Sequence, residues 1–273
     1  MYNNAKSFIF DGINSDNFDL LICTIDNDTP SYNTGLAREI KSFDKTMTRP
    51  ISHQYGTQYS ENLEFVVTVI HKDGSEFTRQ QTRNLNSTYT SSSVPKLLHF
   101  NMDDDMYINY YATCIDIEDV VVSGQVGKKF TFKCNAPYGF ASKITRVFDV
   151  TTSKIIKLNN DSDDGIYYPK VTIIPNTVSS TISIKNKTDG NKTLTVNTST
   201  YTRILLDSTN LSATDQNGEL IPAYDLGWND SYNANGSNQI YWLKLLPNTN
   251  EIEITGNCKI TVECEFPRKV GKM

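Results

Sequence analysis

One stretch decides the fold class of this 273-residue chain: Leu63-Glu-Phe-Val-Val-Thr-Val-Ile70. Every second residue from Leu63 to Val69 is apolar, so an extended backbone places these side chains on one face. The β-branched residues between and among them fit a pleated surface, because they have few rotamers to lose. The stretch is therefore predicted to be a strand with one buried face.

The residues after this strand predict a turn and then a helix. His71-Lys-Asp-Gly-Ser75 contains an Asp-Gly pair, which tolerates the positive φ of a tight turn. Glu76–Leu85 follows, and it carries Phe77 and Leu85, with Gln81 between them, on one helical face. Ser75 is the candidate N-cap. This is the single helix that the sequence predicts.

The rest of the chain has the composition of a β protein. Ile, Val and Thr greatly outnumber Ala and Leu, and Asn and Ser supply much of the polarity. Of the 14 glycines, six follow Asp or Asn, as in hairpin turns. The 12 Phe and 15 Tyr are spread along the chain, which argues against disorder. We predict a mainly β protein.

A change of texture near residue 140 predicts two domains. The strand candidates after it follow one another closely without a helix, which is typical of an antiparallel sandwich. We predict two β-sandwich domains, 1–140 with a short helix and 141–273 without one. Beyond the Leu63–Ile70 strand, the candidates are Ser7–Phe10, Phe18–Ile25, Lys96–Phe100, Met106–Ile117, Val120–Val122 and Lys128–Asn135, then Ile144–Ile156, Val171–Ile174, Thr181–Ile184, Thr193–Val196, Tyr201–Leu206, Ile240–Leu246, Glu251–Thr255 and Cys258–Phe266.

The segment Asp26–Tyr59 is predicted to be an extended loop or arm. It is polar and is interrupted by Pro30, Gly35, Pro50 and Gly56. Its length exceeds that of an ordinary connection in a compact domain, where long structureless loops are uncommon.

No motif for catalysis, a cofactor or a metal ion is found. His53, His71 and His99 have no zinc-binding spacing, and neither a Gly-x-Ser-x-Gly motif nor a phosphate-binding glycine loop is present. Asn159–Gly165 resembles half of a calcium loop, but it places Val171 where a bidentate Glu is needed. Catalytic, cofactor-binding and metal-binding residues are all predicted to be absent.

Two further groups of residues are expected to be structural. Asp103–Asp105 is predicted to be a polar connection between strands. The cysteines have no Cys-x-x-Cys spacing, so we predict reduced thiols that mostly pack as small apolar side chains. They are Cys23, Cys114, Cys134, Cys258 and Cys264.

The two tryptophans differ in how they are interpreted. Trp242 lies within Ile240–Leu246, where a large apolar side chain is expected to fill a sandwich core. Trp228 is equally compatible with packing and with stacking on a sugar ring.

Charge and hydropathy exclude several classes of protein. The 26 basic and 31 acidic side chains give a net charge of −5, which excludes a basic nucleic-acid binder. No apolar run approaches the ~20 residues of a membrane span. The first residues lack the basic and apolar regions of a secretory signal, so we expect neither export nor membrane insertion.

The order of features resembles the distal tail protein (Dit) family of long-tailed bacteriophages, also called the siphovirus tail component family. The resemblance spans nearly the whole chain, and five pieces carry it in the right order. They are Phe10-Asp-Gly-Ile-Asn-Ser-Asp-Asn-Phe18-Asp-Leu, the strand, turn and helix of Leu63–Leu85, Phe130-Thr-Phe-Lys-Cys-Asn-Ala-Pro137-Tyr138-Gly, Tyr168-Pro169-Lys-Val-Thr-Ile, and Leu243-Lys-Leu-Leu-Pro-Asn-Thr-Asn-Glu-Ile-Glu-Ile-Thr-Gly256 with the last strand to Cys264.

The resemblance implies a structural role without a cofactor. In this family an N-terminal β-sandwich with a helix closes into a six-membered ring, and a C-terminal galectin-like sandwich projects outward. The ring is the hub between the tail tube and the tail tip or baseplate. Implied partners are further copies in a homohexamer, the tail tube protein, a tail-associated tip protein and receptor-binding proteins, with no membrane and with DNA only as cargo passing through the lumen.

The resemblance also implies a location and limits the outer domain. The location is the tail tip of the virion, after synthesis in the cytoplasm of the bacterial host. Sugar binding is not implied, because the galectin motif His-x-Asn-Pro-Arg has its nearest analogue at His99-Phe-Asn-Met-Asp103, with the wrong residues and in the wrong domain. The segment Asp26–Tyr59 is expected to cross to a neighbouring subunit or to the tail tube.

Two other function classes stay open beside this one. A carbohydrate-binding adhesion module on a bacterial surface would need an export signal. A tail-tip cell-wall hydrolase, the less favoured of the two, would need an acid/base pair in a cleft.

Overall fold

The computed structural model describes residues 5–25, 36–43, 51–102, 107–177, 181–198, 200–227 and 240–270. The chain divides into two compact units, Met1–Ala141 with Arg268–Met273, and Ser142–Pro267. The last residues therefore belong to the first unit, which the sequence did not signal. The predicted roles of domains 1–140 and 141–273, ring formation and an outward lobe, stay predictions.

The first unit is built on one large antiparallel sheet. Among the described residues its strand order is β2-β1-β7-β8-β9-β6-β3, with β10 paired to β8 and to the short last strand, Pro267–Arg268. Its elements are β1 (Ser7–Phe10), β2 (Ile13–Asn14), a 3-10 turn (Ser15–Phe18), β3 (Leu20–Ile25), β4 (Arg38–Phe43), β5 (His53–Tyr59), β6 (Glu64–His71), α1 (Arg79–Tyr89), β7 (Lys96–Asn101), β8 (Ile108–Val122), β9 (Gln125–Cys134) and β10 (Gly139–Ala141).

The large sheet curves around an aromatic core. The Phe8 ring on β1 lies 5.9 Å from Phe130 and 5.6 Å from Phe132, both on β9. These strands are three places apart in the sheet, which corresponds to about 14 Å in a flat sheet. Tyr89 of α1 packs on the same cluster, 5.2 Å from Phe130. The sheet therefore wraps around its own apolar face, and the helix covers part of the opening.

The long segment before β6, predicted to be an extended loop or arm, contains a β-hairpin that was not among the predicted strands. The strands β4 and β5 pair only with one another among the described residues. Most of their side chains are exposed on both faces, so neither strand shows the alternation that identifies a half-buried strand. Residues 26–35 and 44–50 of the predicted arm lie outside the described residues.

The helix begins three residues later than predicted. Thr78 is the N-cap: its hydroxyl accepts from the Gln81 backbone N–H at 3.2 Å, and the Gln81 side chain accepts from the Thr78 N–H at 2.9 Å. This reciprocal capping box satisfies two backbone donors. Ser75 instead ends the preceding turn, where its N–H donates to Asp73 Oδ1 at 2.9 Å. The start at Glu76 was therefore wrong, because the capping box outcompetes a single candidate cap.

The second unit contains two antiparallel sheets. Their strand orders are β11-β19-β13-β16-β17 and β12-β18-β14-β15 among the described residues, and each sheet buries alternate side chains. Its elements are β11 (Ile144–Val150), β12 (Ser153–Asn160), β13 (Lys170–Pro175), β14 (Thr181–Asn186), β15 (Lys192–Asn197), β16 (Ile204–Asp207), β17 (Ser212–Thr214), a 3-10 turn (Ala223–Leu226), β18 (Asn248–Thr255) and β19 (Cys258–Cys264), and β20 (Pro267–Arg268) follows.

Most predicted strands appear with shifted ends, but three predictions needed correction. The stretch Ile144–Ile156 is two strands, β11 and β12, and Met106–Ile117 continues through Val122 as β8. The stretch Ile240–Leu246 is not a strand; it forms only an isolated bridge between Leu245 and Tyr167. The mainly β fold is confirmed, with one α-helix among the described residues.

Candidate assembly surface

The β4–β5 pair, here called the arm hairpin, exposes apolar side chains that no described residue of the chain covers. Phe43 is 70% exposed, Tyr55 is 66% exposed and Ile40 is 54% exposed. A two-stranded hairpin is only marginally stable in water when it has nothing to pack against. The arm hairpin therefore has the composition of a segment that is completed by binding.

Local contacts fix the shape of the arm hairpin. Its register shifts between Lys41 and Ser42, and Tyr55 is the unpaired residue of this bulge. The Tyr55 ring lies 5.1 Å from that of Phe43. At the other end the Arg38 guanidinium lies 5.0 Å from the Tyr59 ring centre and donates to its hydroxyl at 3.1 Å. The bulge therefore gathers two aromatic rings at one end, and a cation–π contact secures the other.

The arm hairpin meets the first unit through a series of aromatic rings. Tyr59 packs edge-on against Tyr138 at 5.7 Å, Tyr138 packs against Phe140 at 5.5 Å, and Phe140 packs against Tyr111 at 5.7 Å. These edge-to-face contacts favour a defined geometry over a sliding one. They anchor the base of the arm hairpin on β8 and β10.

A second feature of the first unit that exposes apolar residues is the turn end of the hairpin β8–β9, here called the tip. Ser123 and Gly124 both have positive φ, which is the conformation of a tight two-residue turn. β6 pairs with β9 only as far as Lys128, so the last residues before the turn form a two-stranded tip. Val121 is exposed at this tip, and Ile115 is exposed on β8. This tip is a second apolar surface of the first unit.

The three histidines lie apart and do not form a site. His53 is exposed on the arm hairpin. His71 is buried against Phe77, with ring centres 4.4 Å apart. His99 is buried, its Nδ1 lies 2.8 Å from the Ile108 carbonyl oxygen, and its ring stacks on a tyrosine. Within the described residues no cluster of His, Cys, Asp and Glu could hold a metal ion.

Four of the five cysteines are buried, and burial is the largest cause wherever a thiol pKa is shifted. Burial raises the pKa of Cys114 to about 12, and it raises the pKa of Cys258 and of Cys264 to about 11. Burial also raises the pKa of the half-buried Cys23. A nucleophilic cysteine needs a lowered thiol pKa. The prediction that most cysteines pack as small side chains agrees with the burial of Cys114, Cys134, Cys258 and Cys264.

Of the other residues named from the sequence, the loop Asn159–Gly165 and Trp242 lie within the described residues. The loop Asn159–Gly165 is held by its own hydrogen bonds, including Asn160 Oδ1 accepting from the Ser162 N–H at 2.9 Å. Trp242 is half-buried beside the buried Leu243, so it is not the core residue that was expected. Asp103–Asp105 and Trp228 lie outside the described residues.

The described helix of this chain is too short and polar to cross a membrane.

The aromatic residues of the arm hairpin are candidate functional residues that the sequence analysis did not identify. Length and polarity gave the signal for an arm, but the exposed rings lay within a stretch interpreted as polar. A ring pair across a bulge has no period that a sequence window detects.

Comparison with family models places the whole chain among phage proteins. Residues 3–136 match the model described as the phage tail protein N-terminal domain, and residues 138–264 match the model described as the phage tail C-terminal domain. Among curated protein sequences, none matches this chain.

Two solved structures share the fold. The first is the Dit protein of phage SPP1, described as a paradigm of the hub adsorption apparatus in phages that infect Gram-positive bacteria; the TM-score is 0.64 at 15% identity, covering 95% of this chain and 98% of the other. The second is a chain of the phage P2 baseplate in its activated conformation with Ca, with a TM-score of 0.50 at 8% identity, covering 94% of this chain and 97% of the other. At these identities the likeness concerns the fold.

Proposed function

This chain belongs to the phage tail proteins, and from that premise we propose that it is the distal tail hub of a long-tailed phage. Six copies close into a ring at the end of the tail tube. The ring joins the tube protein to the tail-associated tip protein and to receptor-binding proteins of the baseplate. DNA passes through the lumen only as cargo, and the protein is made in the host cytoplasm before it enters the virion.

The two units have different roles in this proposal. Residues 1–140 form the ring, and residues 141–273 form an outward galectin-like lobe. The first unit carries both the arm hairpin and the exposed tip of β8–β9, which are surfaces that suit contacts between subunits. When one surface of a subunit binds a different surface of an identical subunit, the same contact repeats from copy to copy. The copies close into a ring only when the rotation between neighbours has a fixed value.

The arm hairpin is the observation that carries the proposal. Its apolar side chains lack cover within the described residues, and its two strands have no sheet to join. Removing apolar side chains from water at the centre of an interface stabilises the complex. We therefore propose that each arm hairpin packs on the neighbouring subunit.

We also propose that the protein is not an enzyme and uses no cofactor. Among the described residues the histidines lie apart and the buried thiols have raised pKa values. The expected result is that the purified chain neither clears a suspension of bacterial cell walls nor binds lactose at millimolar concentration. Clearing would favour the cell-wall hydrolase, and lactose binding by calorimetry would favour the carbohydrate-binding module.

Negative-stain electron microscopy and light scattering test the ring. The full chain is expected to form particles with six-fold symmetry, and the double variant Phe43→Ser with Tyr55→Ser is expected to be monomeric at the same concentration. Tyr224→Ser is the matched control, because Tyr224 is also 70% exposed but lies on the second unit. A monomeric full chain, or rings that survive loss of both aromatic side chains, would contradict the proposal.

A further inference from the structure

The two sheets of the second unit have edge strands that follow one another in sequence. β11 pairs only with β19 and β12 pairs only with β18 among the described residues, so each strand has one side without a strand partner. Two residues, Thr151 and Thr152, connect them. An unpaired strand edge presents backbone N–H and C=O groups that can accept another strand.

The side chains of β11 that point toward the sandwich interior are partly exposed. Ile144 pairs with Cys264 and Arg146 pairs with Val262, and both partners are buried on the inner face. Ile144 is nevertheless 42% exposed, and Arg146 is exposed as well. The interior is therefore open along this edge.

A small pocket lies at this open edge, and we call it the edge slot. Its apolar wall comes from buried side chains of both sheets, and Arg146 and Asn159 stand at its border. The lining residues are Ile144, Arg146, Leu158, Asn159, Val262, Cys264 and Phe266. The edge slot thus offers an apolar contact beside a cation and beside an unpaired backbone edge.

The charge of the two edge strands favours an acidic partner. Residues 143–160 contain four basic side chains and one acidic side chain, in a chain whose net charge is −5. Lys143 and Lys157 have carboxylate partners in Glu263 and Glu251. Arg146 has no carboxylate partner among the described residues, so its charge is available at the border of the edge slot.

The inward position of Arg146 selects between possible strands. An inward-pointing charge on an edge strand deters pairing with a neutral strand, because pairing would bury the charge without a partner. A strand that brings a carboxylate to the same place removes that penalty. Alternate residues of a strand share a face, about 6.8 Å apart. A carboxylate opposite Arg146 therefore places the residue two positions along beside Ile144 and the apolar wall.

We propose that the free edge of β11 binds an extended segment of another tail protein, in which an acidic residue and an apolar residue stand two positions apart. The segment adds a strand to the sheet, pairs its carboxylate with Arg146 and inserts the apolar side chain into the edge slot. That the donor is a tail protein rests on the proposed function, whereas the recognition chemistry does not.

Synthetic peptides test the recognition on the full chain. The probe is a capped, fluorescein-labelled ten-residue peptide with Thr at every second position and with Glu and Val alternating between them; the comparison probe has Gln in place of Glu. By fluorescence polarisation the Glu probe is expected to bind at least about tenfold more tightly than the Gln probe, because only the former pairs with Arg146. Amide hydrogen exchange is expected to slow in residues 144–150 when the Glu probe is added.

Two variants locate the effect. Arg146→Gln is expected to weaken binding of the Glu probe about tenfold and to leave the Gln probe unchanged. Lys157→Gln is the matched control, because this lysine is on the adjacent edge strand, faces away from the interior and pairs with Glu251. Equal binding of the two probes, no binding, or protection that lies outside β11 would overturn the proposal. So would dimerisation of the chain through this edge, measured by light scattering.

The same preparations separate this inference from the ring. Arg146→Gln is expected to leave six-fold particles in negative stain unchanged, since it alters the second unit only. Intact rings without selective peptide binding would contradict the proposed binding at the edge slot but not the proposed hub function. Selective peptide binding by a chain that forms no ring would contradict the proposed hub function but not the proposed binding at the edge slot.

Discussion

Buried asparagine side chains replace a strand in the second unit. Asn250 is fully buried; its Oδ1 accepts from the Leu246 N–H at 2.9 Å and its Nδ2 donates to the Leu246 carbonyl at 2.7 Å. Asn186 is also fully buried, and its Nδ2 donates to the Lys244 carbonyl at 2.8 Å. These side chains satisfy backbone groups that a neighbouring strand would otherwise satisfy. Asn, which supplies much of the polarity of this chain, therefore also has a role in the core of the second unit.

The substitution Asn250→Ala is expected to lower the free energy of unfolding by a large amount for a single substitution. It removes the side-chain partner of the part-buried Leu246 N–H and C=O, and a buried group left unsatisfied costs about 1–3 kcal/mol. Equilibrium urea unfolding of the full chain measures the loss. Asn176→Ala is the control, because Asn176 makes a side-chain hydrogen bond at the exposed surface and should cost about 0.5 kcal/mol or less. Equal effects of the two substitutions would show that the Asn250 contacts contribute little.

The buried thiols are expected to resist alkylation until the chain unfolds. Cys258 and Cys264 have a pKa raised to about 11 by burial, so only about one thiol in a thousand is ionised at pH 8. Iodoacetamide at pH 8 should therefore label the half-buried Cys23 first and leave these two unlabelled in the native protein, as mass spectrometry of peptides would report. Labelling of all three at similar rates before urea is added would contradict the burial of the second unit's core.

Helix α1 shows how two local signals compete at the level of an element. Ser75 precedes the predicted helix, but its backbone N–H is already bound to Asp73. Thr78 and Gln81 exchange hydrogen bonds, so the helix starts there and continues to Tyr89, which reaches the aromatic core. The added C-terminal turn matters more for packing than the lost N-terminal one.

The two candidate caps can be distinguished by stability. Thr78→Ala should cost about 1 kcal/mol, as loss of an N-cap does, whereas Ser75→Ala should cost a few tenths of that. Urea midpoints of the full-length variants at equal protein concentration give the comparison. A larger loss for Ser75→Ala would mean that the turn, and not the capping box, defines the start of the helix.

Whether an element could be predicted from sequence depends on what its side chains pack against. β6 was predicted from sequence because one of its faces packs on the core, so burial imposes a period of two. The arm hairpin has no buried face, and no such period arises in Arg38–Phe43 or His53–Tyr59. Ile240–Leu246 has the composition of a strand, but asparagine side chains and one isolated bridge hold it, and composition does not distinguish such partners from a neighbouring strand.

At the scale of the whole molecule, order along the chain was more informative than any motif. The family resemblance rested on five weak pieces in sequence, and both family models then matched, over residues 3–136 and 138–264. The candidate assembly surface was predictable only as a long segment, because its exposed side chains have no burial pattern within the chain. Its aromatic residues become recognisable once their exposure is known.

The return of the chain to the first unit leads to a prediction about assembly. Arg268 ends β20, which pairs with β10, and Ala141 ends β10, so the two residues lie on neighbouring paired strands. A short Gly-Ser linker can therefore join these two residues and replace residues 142–267 without stretching the sheet.

The joined chain, residues 1–141 linked to 268–273, is expected to form the closed oligomer, while residues 142–267 alone are expected to be monomeric. The reason is that the arm hairpin and the β8–β9 tip both stay in the joined chain. Light scattering of the two products decides the matter, and residues 1–141 without the returning strand are the control, expected to be less stable because β10 loses a partner. A monomeric joined chain beside an oligomeric second unit would reverse the assignment, since ring closure would then depend on the second unit.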